Sequence, residues 1–257
     1  MLNQQHVSGP ANESILEFGT GASIDGTFRS VGAFDEQGLV AMPHTLNFIE
    51  AATLTCAGIT AWNALFGLTG NRLMPGQWVL TQGTGGVSIF ALQFAKATGA
   101  RVIATTSSPD KVELLKGLGA DYVINYRQTP NWGSVAKGLT GGSGIDIVVD
   151  VAGATTLKQS ADSVKVEGLI CVVGIVGGDG EAGEIPTLLD AWKSSYTVRG
   201  ILVGSRMQME EMCRAIDGNP TLRPFVDPHT FKLDQLKEAY EYLSSGNNQG
   251  KVGIDIL

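Results

Sequence analysis

The chain has 257 residues, of which 43% are apolar and 17% charged, so it can bury the core of one large or two small domains. Its formal net charge of −7, without a basic cluster, argues against nucleic acid and anionic membranes as partners. No apolar run reaches transmembrane length, and Cys56, Cys171 and Cys213 form no CxxC pair, so we expect a cytoplasmic, reducing compartment without a disulfide framework.

The N-terminal part predicts short elements. Two apolar stretches bounded by turn residues, 23–28 and 38–43, predict short strands. A plausible N-cap at Thr45 begins a predicted helix over 45–53. Apolar spacing predicts a second helix over 56–65, which closes before Gly70.

From residue 79 onward, strands and helices alternate. Six strands separated by helices predict an α/β fold, a Rossmann doubly wound parallel sheet with two mononucleotide-binding halves. After residue 204 the pattern changes to two helices, 208–217 and 233–244, and a strand over 251–256 that need not join the same sheet. The predicted strands of the sheet are 79–82, 101–106, 122–125, 145–150, 169–174 and 196–202, and its helices are 86–98, 110–118, 132–139, 155–164 and 188–193.

A glycine turn follows the first of these strands. Gly83 permits a tight turn, and Gly85 removes a side chain where a pyrophosphate would approach the backbone. A helix that starts near Gly86 directs its N–H groups and positive end at that phosphate. Ser88 stands where a strict fingerprint has its third glycine. The alternative is a glycine turn in an unrelated α/β domain that binds no nucleotide.

Four ordered motifs carry a family resemblance. The stretches 56–65 (CAGITAWNAL) and 75–87 (PGQWVLTQGTGGV), followed by 118–127 (LGADYVINYR) and 250–252 (GKV), resemble the medium-chain dehydrogenase/reductase superfamily, in its zinc-type alcohol dehydrogenase-like and quinone oxidoreductase branch. The resemblance implies a GroES-like β-barrel domain interrupted by the Rossmann domain. It therefore implies a partial GroES-like catalytic domain over 1–57, a cofactor-binding domain over 58–203 and a return to the catalytic domain over 204–257. Family chains begin upstream of the counterpart of Met1, so a truncated chain is expected.

The expected cofactor is NADP(H). No acid occupies the end of the second strand, where a carboxylate would hold the ribose hydroxyl of NAD, and Ser107 could donate a hydrogen bond to a 2′-phosphate instead. The resemblance adds Lys111 at the phosphate and Tyr126 at the adenosine end. The alternative for Lys111 is a solvated helix residue.

The nicotinamide end is predicted from strand ends, because ligands of such sheets bind outside the carboxyl ends of the strands. The resemblance adds Thr60 beside the nicotinamide, and Asn248 is a candidate from the C-terminal segment. Plain turn geometry is the alternative for the glycines. The complete set of predicted cofactor-binding residues is Thr60, Gly83, Thr84, Gly85, Gly86, Val87, Ser107, Lys111, Tyr126, Gly153, Gly174, Ile175, Leu202, Val203 and Asn248.

Cys56 corresponds by resemblance to a catalytic zinc ligand of true alcohol dehydrogenases. A catalytic zinc needs three protein ligands, and His6, His44 and His229 share no motif with it or with each other. We therefore expect no metal and a buried, structural Cys56. No general acid can be named from the residues.

The preferred hypothesis is an NADPH-dependent oxidoreductase that transfers hydride to a quinone, an enone or an aldehyde-type carbonyl. The alternatives are a zinc-dependent alcohol dehydrogenase and a truncated cofactor-binding protein with little turnover. The apolar strand 196–202 would lie at a sheet edge, and such edges invite pairing. A homodimer is therefore expected.

Overall fold

The structure is a computed structural model that describes residues 5–11, 13, 17, 19–178 and 185–256. It divides the chain into two compact units. One unit is Ala64–Leu202, and the other combines the described residues up to Asn63 with those from Val203 onward. No described helix is both long enough and apolar enough to cross a bilayer.

Ala64–Leu202 contains a six-stranded, entirely parallel sheet with the strand order β3-β2-β1-β4-β5-β6. This order confirms the predicted doubly wound Rossmann sheet. The strands are β1 (Trp78–Gln82), β2 (Arg101–Thr106), β3 (Tyr122–Asn125), β4 (Ile145–Asp150), β5 (Val164–Val172) and β6 (Thr197–Gly200). The helices are α3 (Gly86–Thr98), α4 (Val112–Gly117), α5 (Trp132–Leu139), α6 (Leu157–Ser163) and α7 (Leu188–Ser194), and α2 (Ala57–Phe66) enters this unit at its C-terminal end.

The central strands are buried because helices cover both faces of a parallel sheet. Leu80, Ile103 and Val148, one from each of β1, β2 and β4, are fully buried and belong to one apolar cluster. Helix α3 ends at Thr98, and the next residue, Gly99, has a left-handed φ of 85° that caps the helix and returns the chain to β2.

Strand β5 begins earlier than the sequence predicts. Its expected range was 169–174, but the strand starts at Val164 and α6 ends at Ser163. The register of β4 and β5 shifts between Ile145 and Ile147, and Glu167 has a left-handed φ of 59°. This irregularity separates two paired segments of one strand, and the apolar pattern detects only the second.

In the other unit, most of the regular secondary structure that the structure describes is helix, and we call it the helical unit. Thr45 does not begin the first helix; the cap is Asn47, which forms a capping box with Glu50. The remaining predicted helices are present, with ends shifted by a few residues. Its elements are α1 (Phe48–Ala52), most of α2, α8 (Arg206–Asp217), α9 (Leu236–Ser244) and the strands β7 (Val226–Lys232) and β8 (Lys251–Asp255).

The predicted strands 23–28 and 38–43 are wrong. Around the first, backbone bonds close a local turn in which Gly19 O accepts from Ser23 N and Gly21 N donates to Ile24 O, and only the single bridge Thr20–Ile24 forms. The second follows a 3-10 turn, Glu36–Gly38, and continues as extended chain. Neither stretch pairs with another described strand, and an unpaired extended segment is not a strand.

The strand predicted over 251–256, which need not join the large sheet, is β8; it lies outside that sheet and pairs in parallel with β7. Sequence analysis did not predict β7, because it contains Pro228 and alternates little. Proline is compatible with a strand that has an unpaired edge, and in this two-stranded sheet β7 has one. The described residues form no closed barrel, so the GroES-like domain stays a prediction.

Candidate functional site

The turn between β1 and α3 lies at the carboxyl end of the sheet. Gly83 has φ of 76°, which a residue with a side chain rarely adopts, and its N–H donates to Thr105 O at 2.8 Å. This bond continues the pairing of β1 with β2 by one residue. The positive φ of this turn is therefore sufficient to explain the glycine at position 83.

Gly85 is different. It is the N-cap of α3, with φ of −72° and ψ of 167°, values that any residue adopts. A Cβ atom at this position would meet no heavy atom within 4 Å beyond its chain neighbours. No side chain caps α3 here, so the first-turn N–H groups, which include those of Gly86 and Val87, face the carboxyl edge uncapped. This arrangement fits a phosphate group.

Ser88 ties the helix to the strand. It is buried, and its hydroxyl donates to Gln82 O at 2.6 Å. A third glycine would allow equally close packing of α3 on β1, but it would offer no such bond. The departure from the strict fingerprint thus leaves the helix–strand contact intact.

A buried polar network joins the ends of β1 and β4, the neighbouring strands at which the strand order reverses. The Asp150 carboxylate is fully buried and accepts from Gln82 Nε2 at 3.0 Å, Ser160 Oγ at 2.6 Å, Thr156 Oγ1 at 2.9 Å and Gly153 N at 2.8 Å. Sequence analysis missed this network. The available signal was the polar residue at the carboxyl end of each strand, Gln82 in β1 and Asp150 in β4.

The predicted adenosine-end residues lie at the ends of β2 and β3. Tyr126 N donates to Thr106 O at 3.0 Å, so Tyr126 directly extends the pairing of the two strands next to Ser107. Ser107 is half-buried and Tyr126 exposed. Lys111 ends the 3-10 turn Pro109–Lys111 and is half-buried. All three residues thus follow the same edge of the sheet, and their role stays a prediction.

The loops after β4 and β5 are packed against each other. Gly153 has φ of 75°, and a Cβ there would lie 3.0 Å from Gly174 O and 3.1 Å from Ile175 Cα. Val176 N donates to Val151 O across the same contact at 3.2 Å. The structure therefore brings together Gly153, Gly174 and Ile175, and it leaves the Ile175 side chain largely exposed. Leu202, after β6, is also exposed.

Thr60 and Val203 belong to the other unit. Thr60 lies on helix α2, and Val203 accepts a hydrogen bond from a residue of the same helix. Thr60 is buried and its hydroxyl donates to Cys56 O at 2.7 Å. One turn further on, Asn63 Nδ2 donates to Val203 O at 2.8 Å. Val203 has φ of 52°, a left-handed conformation that costs a β-branched residue on the order of 1–3 kcal/mol.

Asn248 lies on a segment anchored by a buried carboxylate. Asp227 accepts from Gln249 N at 2.7 Å, His229 N at 2.8 Å and Tyr242 Oη at 3.2 Å. Burial raises the pKa of the Tyr242 phenol, and the neighbouring Asp227 raises it further. Asn248 Nδ2 donates to Gly250 O at 3.3 Å.

The described residues do not fit a catalytic zinc. Among them no three His, Cys, Asp or Glu side chains converge as a metal site. Cys56 is half-buried and not buried as predicted, because it lies in the turn just before α2. Burial raises the pKa of the Cys171 thiol to about 12 and that of Cys213 to about 11. These values keep both buried thiols protonated at neutral pH. The zinc content stays a prediction.

Comparison with known proteins gives concordant matches. The family model of zinc-binding dehydrogenases matches residues 86–218. A zinc-type alcohol dehydrogenase-like protein of Schizosaccharomyces pombe is 40% identical over 252 residues, which cover 98% of this chain and 72% of that protein. Alcohol dehydrogenases of Rhizobium meliloti and Geobacillus stearothermophilus also match, and the chain spans 66% of their length.

Two solved structures are similar over most of the chain. A structure described as an NAD-dependent alcohol dehydrogenase has a TM-score of 0.82 and 30% identity, covering 92% of this chain and 67% of its own. A quinone oxidoreductase of Pseudomonas syringae has a TM-score of 0.78 and 28% identity, covering 93% of this chain and 73% of its own. Both likenesses cover more than nine tenths of this chain.

Proposed function

The chain belongs to the medium-chain dehydrogenase/reductase superfamily, among its zinc-type alcohol dehydrogenase-like proteins, and on this premise we propose that it is an NADPH-dependent oxidoreductase that transfers hydride to a quinone, an enone or an aldehyde-type carbonyl. The observation that carries the proposal is Gly85. Neither its φ and ψ nor its packing requires glycine. A ligand that approaches the backbone at this point would explain why position 85 carries no side chain.

In this proposal the pyrophosphate lies against the turn from Gly83 to Val87, which includes Thr84 and Gly86. Helix α3 is 13 residues long, so its N-terminus carries a full macrodipole, and its uncapped N–H groups bind the phosphate oxygens. The network centred on Asp150 holds the ends of β1 and β4 in place under the ligand. Bound NADPH supplies the hydride, and the residues of the chain orient it.

The preference for NADPH rests on the ends of β2 and β3. A carboxylate there would hold a ribose 2′-OH and repel a 2′-phosphate, but β2 ends in Thr106 and is followed by Ser107. Lys111 and Tyr126 follow the same edge. A hydroxyl and a cation at this edge favour the 2′-phosphate. NAD is the competing cofactor, since one similar structure is described as NAD-dependent.

A charge-reversal experiment decides between the two cofactors. We expect the unmutated protein to bind NADPH more tightly than NADH, measured by the fluorescence of the reduced nicotinamide. Lys111→Glu should weaken NADPH about tenfold, about 1.4 kcal/mol, and leave NADH unchanged. Lys116→Glu is the matched control, because Lys116 is exposed on α4 and paired with Glu113. Equal dissociation constants for NADPH and NADH in the unmutated protein would disprove the preference.

The acceptor is proposed at the level of its chemical class. Similar proteins are named as alcohol dehydrogenases and as a quinone oxidoreductase, and both chemistries reduce or form a carbonyl. The metal-free reaction is preferred because no described cluster fits zinc. Elemental analysis of the purified protein discriminates the alternative, since one tightly held zinc per chain would favour an alcohol dehydrogenase.

We propose a homodimer joined through β6. This strand is the last of the sheet and has a neighbour on one side only. Val198 on β6 is exposed, as are Leu188, Leu189 and Trp192 on the preceding helix α7. An unpaired edge beside exposed apolar side chains favours pairing with a second copy. A monomer mass in light scattering at micromolar concentration would contradict the proposal.

The cytoplasmic location stays a prediction.

A cofactor-binding protein with little turnover is the second candidate. The observation that favours it is the exposure of Phe28, Val31 and Phe48 in the helical unit, apolar side chains that a complete substrate pocket would cover. Steady-state assays with quinone, enone and aldehyde acceptors separate the candidates. An efficiency on the order of 10⁴ M⁻¹s⁻¹ or better would exclude the second candidate.

A further inference from the structure

The last side chain of β2 closes the turn that follows the strand. Thr106 is buried, and its Oγ1 accepts a hydrogen bond from Ser108 N at 3.2 Å. A hydroxyl that bonds to the backbone N–H two residues further on forms an ST-turn. Valine has nearly the same shape as threonine but could not accept this bond. Position 106 therefore contributes a hydrogen bond as well as packing.

This bond supplies an acceptor where the sheet no longer offers one. The pairing of β2 with β1 ends at Thr105, and its pairing with β3 ends at Thr106. The N–H of Ser108 lies beyond both pairings, and Ser108 is half-buried. A backbone N–H that is shielded from water and lacks an acceptor costs free energy. The Thr106 hydroxyl therefore stabilises this geometry of the turn.

Thr106 also fixes the two segments that flank the turn. On one side, Ser108 O accepts from Lys111 N at 3.3 Å, so the position of Ser108 sets the start of the 3-10 turn that ends at Lys111. On the other side, Thr106 O accepts from Tyr126 N at 3.0 Å. Thr106 thus connects, through its side chain and its carbonyl, the segments that carry Ser107, Lys111 and Tyr126.

Ser107 lies inside the closed turn, between Thr106 and Ser108. It is half-buried, and its hydroxyl forms no hydrogen bond with another residue in the part of the chain that the structure describes. The turn therefore fixes the Ser107 backbone and leaves the hydroxyl available to a ligand. An anionic phosphate oxygen is a strong acceptor for such a hydroxyl.

We propose that Thr106 is a positioning residue for the 2′-phosphate of NADPH: its buried hydroxyl closes the turn that presents Ser107 and sets the start of the turn that ends at Lys111. The inference rests on the proposed function and extends it to a residue outside the predicted cofactor-binding set. Thr106 need not touch the cofactor, because its side chain acts through the backbone of Ser108. Loss of the hydroxyl should therefore change the discrimination between NADPH and NADH rather than binding in general.

Two cofactors that differ only in the 2′-phosphate test this role. Thr106→Val keeps the shape of the side chain and removes the acceptor for Ser108 N. We expect it to weaken NADPH at least fivefold and NADH less than twofold, both measured by the fluorescence of the reduced nicotinamide. Thr106→Ser keeps the hydroxyl and should bind NADPH within twofold of the unmutated protein. Retained NADH affinity shows that the sheet is folded, and Thr106→Ala removes the same acceptor if Thr106→Val does not fold.

Thr140→Val is the matched control. Thr140 Oγ1 also accepts from a backbone N–H, that of Gly144 at 2.8 Å, but this turn precedes β4 and so lies at the amino edge of the sheet. The variant makes the same chemical change to the same kind of bond, away from the proposed phosphate site. We expect the affinities for NADPH and NADH to stay within twofold of those of the unmutated protein.

Three results would overturn the inference and leave the proposed function standing. They are equal weakening of NADPH and NADH in Thr106→Val, unchanged NADPH affinity in that variant, and a loss in Thr106→Ser as large as that in Thr106→Val. An unmutated protein that binds neither cofactor would refute the proposed function itself. One that binds both equally would refute the proposed preference for NADPH, and the role of Thr106 falls with either.

Discussion

The two units satisfy their backbones in different ways. In Ala64–Leu202 each strand pairs with a parallel neighbour, and the middle residues of the central strands are fully buried. In the other unit the described residues before α1 contribute one isolated bridge, between Thr20 and Ile24. Phe28 and Val31 in that stretch are 50% and 85% exposed. A similar apolar alternation thus forms a strand only where a partner strand is present.

Each unit nevertheless buries one carboxylate that accepts several hydrogen bonds. Asp150 connects strands and a helix of the sheet, whereas Asp227 connects β7, α9 and the segment before β8. The partners of Asp150 come from β1, from α6 and from the loop after β4, and lie up to 68 positions away in the chain. The comparison predicts that a change at Asp150 lowers the stability of the whole fold, whereas a change at Asp227 lowers only the stability of its own surroundings.

The largest expected effect on stability is that of Asp150→Asn. The amide places donor hydrogens where the carboxylate accepts from Gln82, Thr156 and Ser160, so buried donors face each other. We expect a loss of about 3 kcal/mol in the free energy of unfolding, measured by denaturant titration. Asp162→Asn, at an exposed pair with Lys158, should cost less than about 0.5 kcal/mol. Equal costs for the two variants would mean that the network does not support the sheet.

The next effect concerns binding and leaves the fold intact. Gly85→Val adds a side chain where the protein leaves open space, so the melting temperature should fall only slightly, by the cost of valine in place of glycine at the N-cap of α3. If the pyrophosphate occupies that space, the affinity for NADPH should fall about 100-fold, or about 2.7 kcal/mol. Gly83→Ala is the complementary variant, because φ of 76° strains alanine and should lower stability by about 1 kcal/mol. Unchanged NADPH affinity in Gly85→Val would remove the main support for the proposed function.

Asp227→Asn should open only part of the helical unit. Asparagine has one acceptor oxygen, and its NH2 group in place of Oδ2 cannot accept, so the bonds from Tyr242 Oη and Gln249 N are lost together. We expect the free energy of local opening to fall by about 2 kcal/mol, seen as faster hydrogen exchange in β7 and β8. His229→Ala, which keeps the backbone donor to Asp227, should change exchange much less. Faster exchange throughout the six-stranded sheet would contradict a local role for Asp227.

The sequence predicts best where its signals are local. The predicted bounds of β3, β4 and α5 agree with the structure, because turn residues or glycines lie close to both ends of each element. The glycine turn was also found, since φ of Gly83 and the start of α3 follow from neighbouring residues. The early start of β5 was not found, because its first residues join the sheet through an irregular register.

The missed parts of the site depend on distant pairs. Asp150 meets Gln82, and Asn63 meets Val203, across 68 and 140 positions of the chain. The periodicity of neither segment indicates which distant residue is the hydrogen-bond partner. No sequence pattern predicts a valine with a left-handed φ. A polar residue at the carboxyl end of a mostly apolar strand is the one sequence signal of such a pair.

The smallest expected effect tests the charged surface of the helical unit. Burial raises the pKa of Glu50, but hydrogen bonds from Arg223 and from Asn47 N outweigh burial and leave this pKa below its usual 4.5. Arg223 Nη2 lies 2.6 Å from Glu50 Oε2, and Asn47 N donates to the same carboxylate at 2.9 Å. A carboxylate with a lowered pKa in the folded state stabilises above its unfolded pKa, and this stabilisation is lost as the pH falls through the folded value.

Glu50→Gln should therefore lower the melting temperature at pH 7 by on the order of 1–2 °C, because the Arg223 side chain is half exposed and its pairing is screened by solvent. The difference between Glu50→Gln and the unmutated chain should shrink below pH 4.5 and vanish once the carboxylate is protonated. Raised salt should reduce it at neutral pH, since an exposed ion pair is screened. Glu113→Gln, at the exposed pair with Lys116 on α4, is the matched control in the sheet unit. A difference that persists unchanged at pH 3 would assign the effect of Glu50 to the neutral capping bond with Asn47 rather than to its charge.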